Sequence, residues 1–274
     1  MNRLFIRTHL QRFLEEDVGT GDITAELVCN NEIVTGRIVA KEDGVLAGVP
    51  FVHELFMILG NAYVKPFKLD GDVFKKGDVI LEIEGRAEVV LTGERLSLNL
   101  LQSLSGIAST ARRFAEALKG TKIRLLDTRK TTPGYRFFEK YAVRAGGGNN
   151  HRFALYDMVL IKDNHKKVAG GLRSAIRRVK EKASPAYKIE VEVESLEELE
   201  EVVAENIDIV MLDNFTPEEV KEAVSIIQGR LEIEVSGNIT LDNIDEFIID
   251  GVDYISSGSV IYASRWCDLS LKVL

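Results

Sequence analysis

The sequence predicts an α/β protein in two parts, an N-terminal α+β domain followed by a (β/α) barrel. Three observations carry this. Beyond residue 121, short β-branched runs alternate with helical patterns, and from Lys188 onward the strand starts lie 19, 24 and 21 residues apart, close to the minimal strand-helix unit of a parallel architecture. Every one of those runs ends in polar residues. Before residue 121, by contrast, consecutive β-elements surround a single helix.

The elements follow in order. Spaced apolar residues predict an opening helix over residues 4–16, then a strand at Thr35-Gly-Arg-Ile-Val-Ala40, a helix over 50–59, and strands at Tyr63-Val-Lys-Pro-Phe67 and Val79-Ile-Leu-Glu-Ile83. Asp70-Gly71-Asp72 and Lys76-Gly77-Asp78 supply turns. Residues 91–118 read as one helix, with the domain junction near Ser105-Gly106, giving domains 1–106 and 107–264. The closing residues, 265–274, are expected to return a strand to the first domain. The barrel strands are Lys122-Ile-Arg-Leu-Leu-Asp127, Met158-Val-Leu-Ile-Lys162, Lys188-Ile-Glu-Val-Glu-Val193, Ile207-Asp-Ile-Val-Met-Leu-Asp213, Leu231-Glu-Ile-Glu-Val-Ser236 and Val252-Asp-Tyr-Ile-Ser-Ser257. A doubly wound sheet is the alternative. No GxGxxG follows the first strand, and polar residues end every strand instead of one switch point, which favours the barrel.

Composition narrows the class. With 45% hydrophobic and 28% charged residues and only 5 prolines, the chain is neither collagen-like, low-complexity nor a disulfide miniprotein. The net charge of −8 argues against a general nucleic-acid binder. The longest mostly apolar stretch, 47–60, is interrupted by His53 and Glu54 and is too short to span a bilayer; the amphipathic start resembles no signal peptide. Cys29 and Cys267 stand far apart without ligand spacing, so a reducing compartment, the cytoplasm, is expected. His9 and His53 sit in apolar helical contexts and receive no role.

Charge is uneven. Residues 121–168 carry eleven Lys/Arg against four acids, mostly beside Gly, Pro, Thr and Asn, where anion sites are built. Residues 181–222 carry fourteen acids against three lysines, largely in Ser195-Leu-Glu-Glu-Leu-Glu-Glu201, which reads as a solvated helix face.

Barrel enzymes gather their chemistry at the C-terminal strand ends. Here those ends are Asp127-Thr128-Arg129-Lys130, Lys162-Asp163-Asn164-His165, Glu192 with Glu194, Asp213-Asn214, Ser236-Gly237-Asn238 and Ser257-Gly258-Ser259. The last two precede helical patterns, so their main-chain N–H groups are candidates to grip a phosphate. Glu192 and Asp213 are candidates for Mg²⁺ or sugar hydroxyls. Alternation in Glu190-Val-Glu192-Val-Glu194 puts three glutamates on one face, which needs cations, and Arg129, Lys130, Arg152 and Lys162 are placed to supply them while binding an anionic substrate. Gly146-Gly147-Gly148 cannot continue a helix and leads into His151-Arg152, as a formed active-site loop would. A substrate bearing phosphate and carboxylate together is implied.

Asp127-Thr-Arg-Lys-Thr-Thr-Pro-Gly134, Glu139-Lys-Tyr-Ala-Val143, Gly146-Gly-Gly148, Asn150-His-Arg152, Tyr156-Asp157 and Leu160-Ile-Lys-Asp-Asn-His165 resemble the signature of the quinolinate phosphoribosyltransferase family. The likeness extends to Thr92-Gly-Glu-Arg-Leu-Ser-Leu-Asn99, Leu104-Ser-Gly-Ile-Ala108, Met211-Leu-Asp-Asn-Phe215 and Glu234-Val-Ser-Gly-Asn238. It implies an open α/β sandwich domain plus an incomplete TIM-like α/β barrel, working as a homodimer or hexamer. It implies that quinolinate and phosphoribosyl pyrophosphate give nicotinate mononucleotide, pyrophosphate and CO2, with Mg²⁺, in NAD synthesis. Under the resemblance Arg129, His151, Arg152 and Lys162 surround quinolinate's carboxylates, Arg95 enters from the neighbouring subunit, and Thr128 belongs to the substrate site. Lys130 meets the pyrophosphate side, Glu192 and Asp213 meet ribose hydroxyls or magnesium, and Ser236, Gly237, Asn238, Ser257, Gly258 and Ser259 hold the 5′-phosphate. The catalytic set is Lys130, Lys162, Glu192 and Asp213.

One departure stands out: the family reads Gly-Ala-Leu-Thr-His-Ser after the last strand, whereas Gly258-Ser-Val-Ile-Tyr-Ala-Ser264 lacks the Thr-His pair, and Asn238 stands where glycine is common. Three rivals stay open. One is a paralogue using nicotinate or linked to molybdenum transport, another a Schiff-base aldolase on Lys162, and the third a carrier module suggested by the lipoyl-like stretch Gly71-Asp-Val-Phe-Lys-Lys-Gly77-Asp-Val-Ile80.

Overall fold

Alternation decides the first half of the chain. The computed structural model describes residues 2–274, and within it the strands β1 (Ile33–Ala40), β2 (Gly44–Val45), β3 (Tyr63–Pro66), β4 (Val73–Phe74) and β5 (Val79–Arg86) precede the long helix Ala87–Ala117. β1 pairs antiparallel with β5 on one side and with the C-terminal strand Leu269–Val273 on the other, while β3 pairs with the far edge of β5. Ile38 opposes both Leu81 and Leu271, so the inward-facing apolar residues of three strands line up. Helix Val49–Leu59 adds Val52 and Phe56 to the core formed by Ile38, Phe74, Ile80, Leu81 and Leu269. Helix Arg3–Asp17 buries Ile6, Leu10 and Leu14, its i, i+4 row, and Arg3 and Arg7 both pair with the buried carboxylate of Glu54.

Two short features carry too little alternation to be read from the sequence. Helix Ile23–Val28 is held by Asp22, whose side chain accepts from Ala25 N. β4 pairs with β2, whereas β5 pairs with β1 and β3, so the lipoyl-like stretch is divided between two sheets and makes no free-standing hairpin. The long helix runs without interruption through Ser105-Gly106. The chain forms two compact units: one comprises the residues up to Thr110 with Ala145–Gly147 and Ser264–Leu274, the other Ala111–Arg144 with Gly148–Ala263.

The second unit contains β6 (Arg124–Leu126), β7 (Val159–Ile161), β8 (Ile189–Val193), β9 (Ile209–Asp213), β10 (Glu232–Ser236) and β11 (Tyr254–Ser256), every pair parallel. Their order in the sheet is β6-β11-β10-β9-β8-β7. The first strand lies beside the last, which is barrel order, and a doubly wound sheet would reverse direction at an internal switch point instead. β6 and β7 end the sheet, so the barrel is incomplete, as expected.

Residues paired across parallel strands point to the same face. The registers Glu190↔Ile209, Glu192↔Met211, Glu232↔Ile209, Glu234↔Met211 and Ser236↔Asp213 therefore put a row of polar side chains on the inner face. Outside, helices Leu172–Lys182, Leu196–Val203 and Pro217–Ile227 bury their apolar rows. The acid-rich helix Leu196–Val203 exposes Glu197 and Glu200 as a solvated face should, while Glu198 pairs with buried Lys166. At the N-terminal ends of the strands, Tyr254 donates to Glu232, which also binds Lys188, beside a cavity of about 960 Å³. The carboxylates of Asp208 and Asp253 there are taken by the main-chain N–H groups of Ile189 and Ile233, a structural closure. Among the described residues no helix is long and apolar enough to cross a membrane.

Phe74 is fully buried in the core of the first unit. Phe74→Ala is expected to cost about 3–5 kcal/mol of stability, measured by urea unfolding, with the transition assigned to that unit by limited proteolysis.

Candidate active site

The rim of the second unit is organised by a carboxylate that the polar strand end placed correctly but gave no role. Asp127 follows β6 and is fully buried. It pairs with the buried ammonium of Lys140, accepts from Asn150 Nδ2 at 2.6 Å, and accepts from the His151 main-chain N–H at 2.9 Å. Lys140 also donates to the His151 carbonyl at 3.0 Å. Helix Arg136–Ala145 ends just before Gly146, and these bonds hold the following residues against the strand end, so His151-Arg152 lies on a formed loop.

Cations converge on this rim. Arg152 is half-buried and donates from Nη1 to the Met158 carbonyl at 3.2 Å. Burial, and then the adjacent charge of Arg129, push its guanidinium down from its ordinary value, so the two arginines share one electrostatic neighbourhood. Lys162, at the end of β7, pairs with Glu192 on β8. Lys130 is exposed, and its chain lies over Gly258: a Cβ there would come within 2.7 Å of Lys130 Cδ and 2.9 Å of the Tyr262 ring, so a side chain at 258 would displace one or both. Thr128 Oγ1 accepts from Lys130 N at 3.0 Å and shapes that turn.

The two glycine turns are joined. Gly237 and Asn238 are consecutive left-handed residues, at φ +100° and +52°. A Cβ on Gly237 would stand 2.4 Å from Asn214 Oδ1, which itself accepts from Asn238 Nδ2. Consecutive residues of this kind turn N–H groups toward one side. No helix starts directly after this turn, contrary to the sequence reading. Thr240 and Asn243 form a hydrogen-bonded turn first, and only the short 3₁₀ segment Ile244–Phe247 follows. After β11, Ser257 Oγ donates to the Ile239 carbonyl at 2.6 Å and contacts Ser259 Oγ at 2.7 Å. These hydroxyls tie the two turns together, and the Ser257 and Ser259 N–H groups are themselves held, by the Leu126 carbonyl at 3.1 Å and by Ser257 Oγ at 3.3 Å. Helix Ser259–Tyr262 is four residues long, with Ile261 buried and the Tyr262 ring beside Gly258.

Deeper in the barrel lies a cluster that sequence reading caught only in part. His151 Nε2 is 3.1 Å from Glu190 Oε2 and 3.5 Å from Glu234 Oε2, and ring Nδ1 accepts from the Arg152 main-chain N–H at 2.7 Å. One carboxylate oxygen of each glutamate and a ring nitrogen lie within 4.8 Å of one another. Both Glu190 oxygens and Glu234 Oε1 are buried without a hydrogen-bond donor of good geometry, as is Ser256 Oγ. Burial pushes Glu190 up to about 7; burial and then the charge of Glu190 push Glu234 up to about 8. Burial lowers His151, which favours a neutral ring.

The three glutamates of the alternating run 190–194 thus have different fates. Glu192 meets Lys162 as expected, Glu190 meets His151 and Glu234, and Glu194 stands beyond the strand end in solvent. Asp213 is half-buried at the end of β9, where its Oδ2 accepts from Asn214 Nδ2. Arg95 is exposed on helix Ala87–Ala117 of the first unit. Lys140, Asn150 and Glu234 were not singled out by the sequence, although the alternation Glu232-Ile-Glu234 repeats the signal that flagged β8.

A carboxyl whose folded pKa exceeds its unfolded value contributes stability at low pH that is lost as pH rises through the folded value. Wild-type stability should therefore fall between about pH 4.5 and about 8 through Glu234. Glu234→Gln is expected to raise the melting temperature at pH 8.5 and to lose that advantage at pH 5, as read by scanning calorimetry.

Comparison with known proteins identifies the family. The family model described as quinolinate phosphoribosyl transferase, C-terminal domain, matches residues 107–272, and that of the N-terminal domain matches residues 22–105. The chain is 42% identical over 274 residues to a probable nicotinate-nucleotide pyrophosphorylase (carboxylating) of Bacillus subtilis, covering 100% of this chain and 95% of that protein. It is 39% identical over 276 residues to the nicotinate-nucleotide pyrophosphorylase (carboxylating) of Mycobacterium leprae, covering 97% of this chain and 96% of that one. The solved structure of the Francisella tularensis nicotinate-nucleotide pyrophosphorylase superposes with a TM-score of 0.94 at 39% identity, covering 100% of this chain and 98% of that chain.

Proposed function

Since the chain belongs to the quinolinate phosphoribosyltransferase family, we propose how its residues divide the work of that family's reaction. The reaction joins the ring nitrogen of quinolinate to C1 of the phosphoribosyl group, releases pyrophosphate, and then loses CO2 to give nicotinate mononucleotide for NAD synthesis.

Quinolinate carries two adjacent carboxylates. The observation that carries the assignment is that half-buried Arg152 lies within the electrostatic reach of Arg129, and that Arg152 and Lys162 both act on Glu190. Cations crowded together repel each other until a dianion arrives, and planar guanidinium groups match carboxylates two bonds at a time. Arg129, Arg152 and Lys162 bind the diacid, and Arg95 of a neighbouring subunit completes the pocket in a homodimer or hexamer. His151 contributes by holding the Arg152 main chain through Nδ1, while its Nε2 stands against the carboxyl groups of Glu190 and Glu234.

Departure of pyrophosphate leaves positive charge on the ribose, which the Glu192 carboxylate offsets while its ion pair with Lys162 fixes its direction. Lys130 meets the pyrophosphate, and its passage over Gly258 keeps it next to the turn that receives the sugar's 5′-phosphate. That phosphate takes main-chain N–H groups of Ser236, Gly237, Asn238 and Gly258, while Ser257 and Ser259 shape the second turn, their own N–H groups donating to the Leu126 carbonyl and to Ser257 Oγ. Asp213, a hard oxygen donor at the rim, suits Mg²⁺, whereas the Glu192 carboxylate already holds Lys162. When bound, Mg²⁺ neutralises charge on the diphosphate. Loss of CO2 leaves electron density on the carbon beside the ring nitrogen, stabilised by the now cationic ring and the surrounding arginines, and that carbon takes a proton. Lys162 lies in an ion pair and not in the apolar pocket that activates a Schiff-base lysine, which speaks against an aldolase. Cys29 and Cys267 are unpaired, as a cytoplasmic setting would leave them.

Incubation with quinolinate, phosphoribosyl pyrophosphate and Mg²⁺ is expected to yield nicotinate mononucleotide and CO2 in equal amounts, with nicotinate a poor substitute; release of pyrophosphate with nicotinate alone would overturn the dicarboxylate reading. Arg152→Gln should raise the KM for quinolinate by about tenfold or more, with the KM for phosphoribosyl pyrophosphate little changed. Glu192→Gln should lower kcat by about 10²–10³ while substrate binding, followed by calorimetry, persists.

A further inference from the structure

Two buried carboxyl groups in contact must share a hydrogen, receive a cation, or separate. Glu190 and Glu234 face one another across the inner face of the barrel, and His151 touches both. The ring decides between the outcomes. Because Nδ1 accepts from the Arg152 N–H at 2.7 Å, it carries a lone pair, and the hydrogen of the neutral ring sits on Nε2. An imidazolium has no acceptor nitrogen and cannot make that bond. A nitrogen bearing hydrogen has no lone pair for a metal, so the three groups do not form a divalent-cation site although their spacing would allow one. The neighbouring charges of Lys140, Arg152 and Lys162 also disfavour a further cation.

We infer that Glu190 and Glu234 are positioning residues: they hold one hydrogen and one negative charge between them, that charge accepts Nε2–H of His151, and the fixed ring aims Arg152 at quinolinate. The main chain on the other side of His151 is fixed independently by Asp127 and Lys140. The ring is therefore the remaining free rotor between the barrel interior and the Arg152 main chain, and the glutamate pair removes that freedom. The inference rests on the proposed role of Arg152 in binding the diacid.

The arrangement has a direct spectroscopic signature. The chain has 4 histidines, so ¹⁵N-histidine NMR of the wild-type protein, with His151 identified by comparison with His151→Gln, is tractable. The expected result is an unprotonated Nδ1 and a protonated Nε2 at pH 7. An Nδ1–H tautomer or an imidazolium overturns the inference. Kinetics provide the second test. Glutamine can stand for the hydrogen-bearing member of the pair, so Glu190→Gln and Glu234→Gln should each raise the KM for quinolinate only about two- to threefold, while the double variant, left without a negative acceptor, should raise it about 30-fold or more, beyond the product of the two. A double variant no worse than the singles means that the pair only fills space. Singles as damaging as the double, with metal detected in the protein by mass spectrometry, mean a cation site. Either overturns the proposal. If Arg152→Gln leaves the KM for quinolinate unchanged, the assignment of Arg152 fails instead, and the tautomer still reports on the glutamate pair.

Discussion

The site depends on one buried carboxylate. Asp127 has no exposed surface and satisfies its charge with Lys140, the Asn150 amide and the His151 main-chain N–H. A glycine run has high conformational entropy and would not by itself present Arg152 in one direction. Three donors drawn from the next helix and from the far end of the loop convert it into a fixed structure. Removing one partner would strand a buried charge, which is why the motif has to be kept as a set.

The inner face of the barrel follows from the same economy of charge. Parallel strands covered on both faces ordinarily carry uninterrupted apolar residues. Here β8 and β10 carry glutamates at every second position: Lys188 and Tyr254 meet Glu232, His151 stands between Glu190 and Glu234, and Lys162 meets Glu192. Stability is given up in the lumen to hold polar groups in fixed directions, and the adjoining rim, rich in cations, is thereby prepared for a strongly anionic substrate.

The loss of the Thr-His pair after the last strand has a local explanation. Ile261 is buried and Tyr262 lies beside Gly258, while the turn is closed by Ser257 and Ser259 on the Ile239 carbonyl. The main-chain grip on a phosphate that we propose does not need the missing side chains.

The sequence by itself determined the period of every long element, the polar strand ends, the excess of cations at residues 121–168, and a motif long enough to identify the family. These are legible because side-chain alternation and strand-to-helix rhythm are properties of neighbouring residues. Tertiary structure alone decided that β6 stands beside β11, that Glu234 faces Glu190, that the serine hydroxyls turn inward, and that His151 is spent on holding Arg152. Each of these is a contact between residues far apart in the chain, and no local pattern encodes which of two like carboxylates will find a cation and which will find its own kind.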